Sequence, residues 1–107
     1  MDYNRKKVLV VGMARSGVAA AQLLRACGAE VAVNDSKTEK ELGQQLSPLE
    51  GLQLERHFGC GAAELLEGRD CLVISPGIPD TAPFVQKARE MGIYVIGVPA
   101  LRNGHRG

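Results

Sequence analysis

The residues with the clearest potential for chemistry form the G-x-A-x-x-G motif Gly12–Gly17, which follows a β-branched run. In such a turn the first glycine permits a sharp change of direction, a small middle residue lets a ligand approach the backbone, and the last glycine lets a helix pack tightly. Free N–H groups and the helix dipole at a helix start then attract anions. The motif predicts a diphosphate site formed by Gly12, Ala14, Arg15, Ser16 and Gly17; the alternative is a tight turn without a ligand.

Two further segments stand where strands are expected to end. Asp35 ends an apolar run at about the spacing of the ribose-binding acid in dinucleotide folds, although it can instead cap the following loop. Lys37 can pair with a phosphate or lie over a flat base, or it can be an ordinary surface lysine. The segment Ser75–Pro79 either closes a pocket beside the first strand or forms an ordinary Pro-Gly turn.

Residues for catalysis or metal binding are not evident in the sequence. His57 and His105 lack suitably spaced partners, and Ser16 and Ser75 have no visible general base. The chain contains no G-x-x-x-x-G-K-[ST] loop for ATP phosphates, and its three cysteines match no zinc motif. We therefore predict no catalytic residue and no metal ligand in this chain.

Strands and helices are predicted to alternate, in an order that positions these residues. Short apolar runs predict strands, and residues with 3.6-residue periodicity predict helices. Alternation of this kind is typical of a three-layer α/β domain with a parallel sheet, and the glycine motif after the first strand predicts a five-stranded, Rossmann-like order of 3-2-1-4-5. The predicted strands are 6–12, 30–35, 52–54, 70–75 and 93–98; the predicted helices are 17–28, a short one within 36–48, 62–66 and one that starts near Pro83.

The last predicted helix has its own start and packing signals. Thr81 or Asp80 is expected to cap it, with Pro83 in its first turn. Phe84, Ala88 and Met91 are expected to form its apolar face.

Composition limits the class of protein. The 107 residues suit one domain, 1–98, followed by a tail, 99–107, that is disordered or artificial. Thirteen basic residues against twelve acidic ones argue against a broad nucleic-acid-binding surface. No apolar run approaches the roughly 20 residues that span a bilayer, and the polar start lacks a signal-peptide core. The cysteines are odd in number, and Cys27 and Cys71 lie in apolar segments, so we expect a reduced, cytoplasmic protein that does not bind membranes.

Four segments in order resemble the N-terminal domain of the Mur ligases, most of all the branch that adds D-glutamate. The segments are 8–17, 33–37, 74–79 and 88–97, and the likeness extends over about residues 6 to 97. It implies that the domain holds the UDP part of UDP-N-acetylmuramoyl-L-alanine. It further implies contacts of Arg15 and Ser16 with the diphosphate, of Asp35 and Ser36 with the uracil edge, of Lys37 with the ring, and of Ser75, Pro76 and Gly77 with the pocket wall.

The resemblance also implies what this chain lacks. Mur ligases use ATP and Mg²⁺ to make an acyl phosphate, which an amino acid attacks to form an amide, and those steps belong to a central and a C-terminal domain. We therefore expect this fragment to bind substrate without a cofactor, as a monomer, and not to catalyse alone. The family usually has an acidic residue just after the last strand, where this chain has Val98.

Two other functions share most of these features. An NAD(H)-binding module, from a dehydrogenase or a nucleotide-sensing regulatory protein, has the same fold and an acid at the position of Asp35. The segment Ser75–Pro79 favours the ligase, because the NAD(H) interpretation gives it no role. A structural or interaction domain without a ligand is the third possibility.

Overall fold

A five-stranded parallel sheet forms the centre of the chain in the computed structural model, which describes residues 2–98. The strand order is β3-β2-β1-β4-β5, which confirms the predicted order and fold class. The predicted tail, 99–107, lies outside the described residues. The elements are β1 (Lys7–Val11), α1 (Arg15–Ala26), β2 (Glu30–Asp35), α2 (Glu39–Leu42), a 3₁₀ segment (Gly43–Leu49), β3 (Glu55–Phe58), a 3₁₀ turn (Ala63–Leu65), β4 (Cys71–Ile74), α3 (Pro83–Glu90) and β5 (Tyr94–Gly97).

Both faces of the sheet are covered, which gives the three layers. Successive residues of a strand point to opposite faces, so Val8 and Val10 of β1 pack in one core with Leu24 of α1. Leu9 packs in a second core with Val85 of α3. The central strands β1 and β4 read as continuous apolar runs because they are buried on both sides, as is typical of parallel sheets.

The third strand lies later than predicted. The sequence pointed to 52–54, whereas β3 is Glu55–Phe58, whose residues pair with those of β2 from Ala32 to Asp35. Leu52 and Leu54 are half-buried and pack against the core ahead of the strand. The prediction was wrong because β3 is an edge strand with polar residues, and only its pairing with β2 identifies it.

Helix α3 starts and packs differently from the prediction. Its N-cap is Ala82, with no side-chain hydrogen bond, so neither Thr81 nor Asp80 caps it. Pro83 occupies the first turn as predicted and removes one of the N–H groups that a cap would satisfy. The helix ends at Glu90, so Met91 leaves the apolar face and is 45% exposed.

Helix α1 begins at Arg15, two residues before the predicted start at Gly17, and Cys27 is its C-cap. Gly28 follows with a positive φ of 87°, which fits the predicted stop. Among residues 2–98, no helix is long and apolar enough to cross a membrane.

Candidate functional site

The G-x-A-x-x-G motif lies at the carboxyl edge of the sheet, between β1 and α1. Gly12 has a φ of 96°, which side-chain-bearing residues rarely adopt, and its N–H donates to the Asn34 carbonyl at 2.8 Å. A Cβ at Gly17 would lie 1.7 Å from the Gly12 carbonyl oxygen. The two glycines therefore have the turning and close-packing functions that the motif predicts.

Asp35 joins this turn to the loop after β2. One carboxylate oxygen accepts a hydrogen bond from the Met13 N–H at 2.8 Å, and the other accepts from the Lys37 N–H at 2.9 Å. The bond to Lys37 is the loop cap that was the alternative to ligand binding. The bond to Met13 was not foreseen, and through it the half-buried Asp35 aligns two backbone segments at the end of the sheet.

Ser75 contacts the same turn from the other side. Its hydroxyl can donate to the Gly12 carbonyl, at 2.9 Å, or to the Val11 carbonyl, at 3.1 Å. Ser75 is buried, with 7% of its surface exposed. The next two residues, Pro76 and Gly77, are exposed and form the surface beside the turn. The structure thus brings the first and third predicted segments into contact, although Ser75 itself faces the protein backbone.

Gln45 belongs to the same constellation and was not predicted. Its side-chain amide donates to the Met13 carbonyl at 2.6 Å from the 3₁₀ segment Gly43–Leu49. No spacing or motif in the sequence marks this residue, because the contact depends on how the 3₁₀ segment packs beside α1.

The free donors of the turn follow from this arrangement. The N–H groups of Ala14, Arg15, Ser16 and Gly17 make no hydrogen bond with any residue between 2 and 98, whereas the N–H of Val18 donates to the Ala14 carbonyl at 3.0 Å. Ala14 and Arg15 are exposed, and the first turn of α1 carries no acidic side chain. Such an arrangement can bind an anion.

The other two predicted contacts are also at this edge. Ser36 and Lys37 are exposed directly after Asp35, on the loop that Asp35 ties to the turn. All eleven predicted residues therefore lie at or just beyond the carboxyl ends of β1, β2 and β4, which are adjacent in the sheet. Ligands of open α/β folds bind at this edge, where the strand order changes direction.

A cavity of about 710 Å³ lies elsewhere, at the opposite, amino edge. Lys7, Glu30 and Glu55, which begin three adjacent strands, line it. This cavity is open to solvent, and its lining carries charges of both signs, so it does not favour one kind of ligand. We therefore place the candidate site at the unbonded amides of the turn. Within residues 2–98, no group of His, Cys, Asp and Glu could hold a metal ion.

A Rossmann-type α/β domain, with unbonded amides at the turn after its first strand, is the class that the fold and the site define. The family described as "Mur ligase MurD-like, N-terminal domain" matches residues 6–97. The chain therefore belongs to this family.

Curated relatives agree with this assignment. The protein of Exiguobacterium sibiricum named UDP-N-acetylmuramoylalanine--D-glutamate ligase is 47% identical over 94 residues, and the match covers 88% of this chain and 20% of that protein. The proteins of the same name from Koribacter versatilis and Ligilactobacillus salivarius are 42% and 46% identical, over 91% and 92% of this chain and 21% of each relative. The chain thus spans about one fifth of the relatives it matches.

Solved structures share the fold. A pseudomurein peptide ligase type C from Methanothermus fervidus superposes with a TM-score of 0.73 at 19% identity, over 90% of this chain and 20% of that one. Shikimate dehydrogenase from Aquifex aeolicus superposes with a TM-score of 0.63 at 17% identity, over 91% and 44%. One architecture therefore occurs in both a ligase and a dehydrogenase, and the similarity shows fold alone.

Proposed function

We propose that this domain binds the UDP part of UDP-N-acetylmuramoyl-L-alanine, as the N-terminal domain of an ATP-dependent ligase that adds D-glutamate. The names of the curated relatives support the substrate, because they all describe this ligase. The observation that carries the proposal is the row of unbonded amides of Ala14, Arg15 and Ser16 at the start of α1. A diphosphate is the part of this substrate that such amides bind best.

Separate parts of the nucleotide would meet separate loops. Arg15 and Ser16 bind the diphosphate. Asp35, the last residue of β2, and Ser36 and Lys37, which directly follow it, receive uracil. Both carboxylate oxygens of Asp35 already accept a backbone N–H, but a carboxylate has about four lone-pair sites and can accept another donor. Ser75 supports the turn, so that Pro76 and Gly77 form the wall.

The whole protein would complete the reaction with domains that lie outside the matched region. There ATP, held with Mg²⁺, would phosphorylate a carboxylate of the substrate and leave as ADP, and the amine of D-glutamate would then displace phosphate from the acyl phosphate to form the amide. This domain would contribute binding energy and orientation for that step, and it supplies no reacting group of its own. We expect it to act in the cytoplasm, as a monomer.

Calorimetric titration of the chain with UDP-N-acetylmuramoyl-L-alanine, and separately with NAD, tests the proposal. We expect heat of binding with the UDP substrate alone. Arg15→Ala removes a positive charge beside the turn and should weaken binding about tenfold, the lower end for loss of a hydrogen bond to a charged group. Arg89→Ala is the matched control, since Arg89 lies on α3 in a surface ion pair with Asp80. Binding of NAD alone would instead support the dehydrogenase interpretation.

A further inference from the structure

Two consecutive peptide groups of the turn are held by side chains from three separate parts of the chain. In the first, between Gly12 and Met13, the carbonyl accepts from Ser75 at 2.9 Å and the N–H donates to Asp35 at 2.8 Å. In the second, between Met13 and Ala14, the carbonyl accepts from Gln45 at 2.6 Å. The first group is therefore bonded at both ends, and the second only at its carbonyl.

The open end of the second group is the Ala14 N–H. A trans peptide group is planar, so its C=O and N–H point in opposite directions and cannot turn independently. The bond from Gln45 to the Met13 carbonyl therefore sets the direction of the Ala14 N–H. That N–H has no partner among residues 2–98 and begins the row of unbonded amides.

We propose that Gln45 is a positioning residue for the diphosphate, which it serves by orienting the Ala14 N–H through the shared peptide group; this rests on the proposed function. A carbonyl oxygen only accepts hydrogen bonds, so the nitrogen of the Gln45 amide must face it. Glutamate has the same shape and lacks that donor when ionised.

The segment that carries Gln45 is well anchored. Leu42 and Leu49, on either side of it, are 4% and 1% exposed in the core beneath α1. Gln22 of α1 also donates to the Pro48 carbonyl at 3.2 Å. Gln45 is thus held on an anchored segment, although Gln45 itself is an exposed residue. Its replacement should leave the fold intact.

The test compares Gln45→Ala and Gln45→Glu with the control Gln44→Ala. Gln44 is the exposed neighbour, and its side chain makes no hydrogen bond with the described residues. Dissociation constants for UDP and for uridine, which lacks phosphate, are measured by amide NMR titration. We expect both Gln45 variants to raise the dissociation constant for UDP about threefold to tenfold, the effect of losing one hydrogen bond, and to leave that for uridine unchanged.

Each outcome decides a different point. In the ligand-free protein the Ala14 amide signal should shift in the Gln45 variants and stay in place in Gln44→Ala. Wild-type affinity for UDP in both Gln45 variants would overturn the role of Gln45 while the proposed function stands. Equal loss for UDP and uridine would overturn it too, because it would indicate a general structural effect. An unmutated chain that binds no UDP would refute the proposed function, and the role of Gln45 with it.

Discussion

At the scale of single residues, Asp35 links the two loops that the proposed function assigns to diphosphate and uracil. Its two oxygens accept one N–H from each loop, at 2.8 and 2.9 Å. Only the bond to Lys37 is local, and only this one could be expected from the sequence. The bond from the Met13 N–H to Asp35 and the bond from the Gln45 amide to the Met13 carbonyl join residues far apart along the chain, so no spacing rule predicts them.

Asp35→Asn tests this link. The amide of asparagine offers one accepting oxygen, so one of the two backbone N–H groups would face another donor. We expect the free energy of unfolding in urea to fall by about 1–3 kcal/mol, the cost of leaving a partly buried polar group unsatisfied. Asp80→Asn is the control, because its exposed ion pair with Arg89 should contribute no more than about 1 kcal/mol. Equal stability of the two variants would contradict the linking role.

At the scale of elements, the buried strands could be predicted and the edge strand could not. Runs such as Val8–Val11 are apolar because β1 is buried on both faces, and the glycine after them marks the turn. Strand β3 contains Glu55, Arg56 and His57, and these polar residues give no apolar pattern from which a strand could be predicted. The strand is identified by its pairing with β2. The N-cap of α3 could not be predicted either, because Ala82 occupies that position without a side-chain hydrogen bond.

The packing of α1 on β1 depends on Gly17. A methyl group there would lie 1.7 Å from the Gly12 carbonyl oxygen, so the helix or the turn would have to move. We expect Gly17→Ala to lower the free energy of unfolding by at least about 1–3 kcal/mol, the usual cost of overpacking. Gly61→Ala is the matched control, since a Cβ at Gly61 meets no atom within 4 Å and its φ is not positive. A Gly17→Ala protein as stable as Gly61→Ala would refute this packing.

The short helix α2 is stabilised by a capping box that responds to pH. The Thr38 N–H donates to the Glu41 carboxylate at 2.9 Å, and the Glu41 N–H donates to the Thr38 hydroxyl at 3.2 Å. The hydrogen bonds from the Thr38 backbone and side chain hold the pKa of Glu41 below its ordinary value. The ionised Glu41 carboxylate therefore stabilises the fold at pH values above the ordinary pKa of glutamate. This stabilisation is lost as the pH falls through the lowered pKa that Glu41 has in the folded state.

Carbon-detected NMR titration of the Glu41 carboxyl can measure the pKa of this residue. We expect a midpoint below the ordinary value for a glutamate. Thr38→Ala removes the hydroxyl but keeps the backbone N–H, so it should raise the midpoint of Glu41 part of the way towards that ordinary value. A Glu41 midpoint that is the same in the unmutated chain and in Thr38→Ala would contradict the capping box.

At the scale of the whole molecule, the fold alone does not choose a ligand, because a ligase and a dehydrogenase share it. Membership of the Mur ligase family, over residues 6–97, is what directs the proposal to UDP. The alternation of strands and helices, together with the glycine motif after the first strand, was enough to predict the sheet order. The amino-edge cavity, by contrast, had no counterpart in the sequence.

The central claim is that one end of the sheet binds UDP through the turn after β1. Two-dimensional amide NMR with UDP-N-acetylmuramoyl-L-alanine, run in parallel with NAD, tests it most directly. We predict that the UDP ligand alone shifts the amides of Ala14, Arg15 and Ser16, together with those of Ser36 and Gly77. Shifts confined to the amino edge, or shifts of these amides with NAD alone, would contradict the claim.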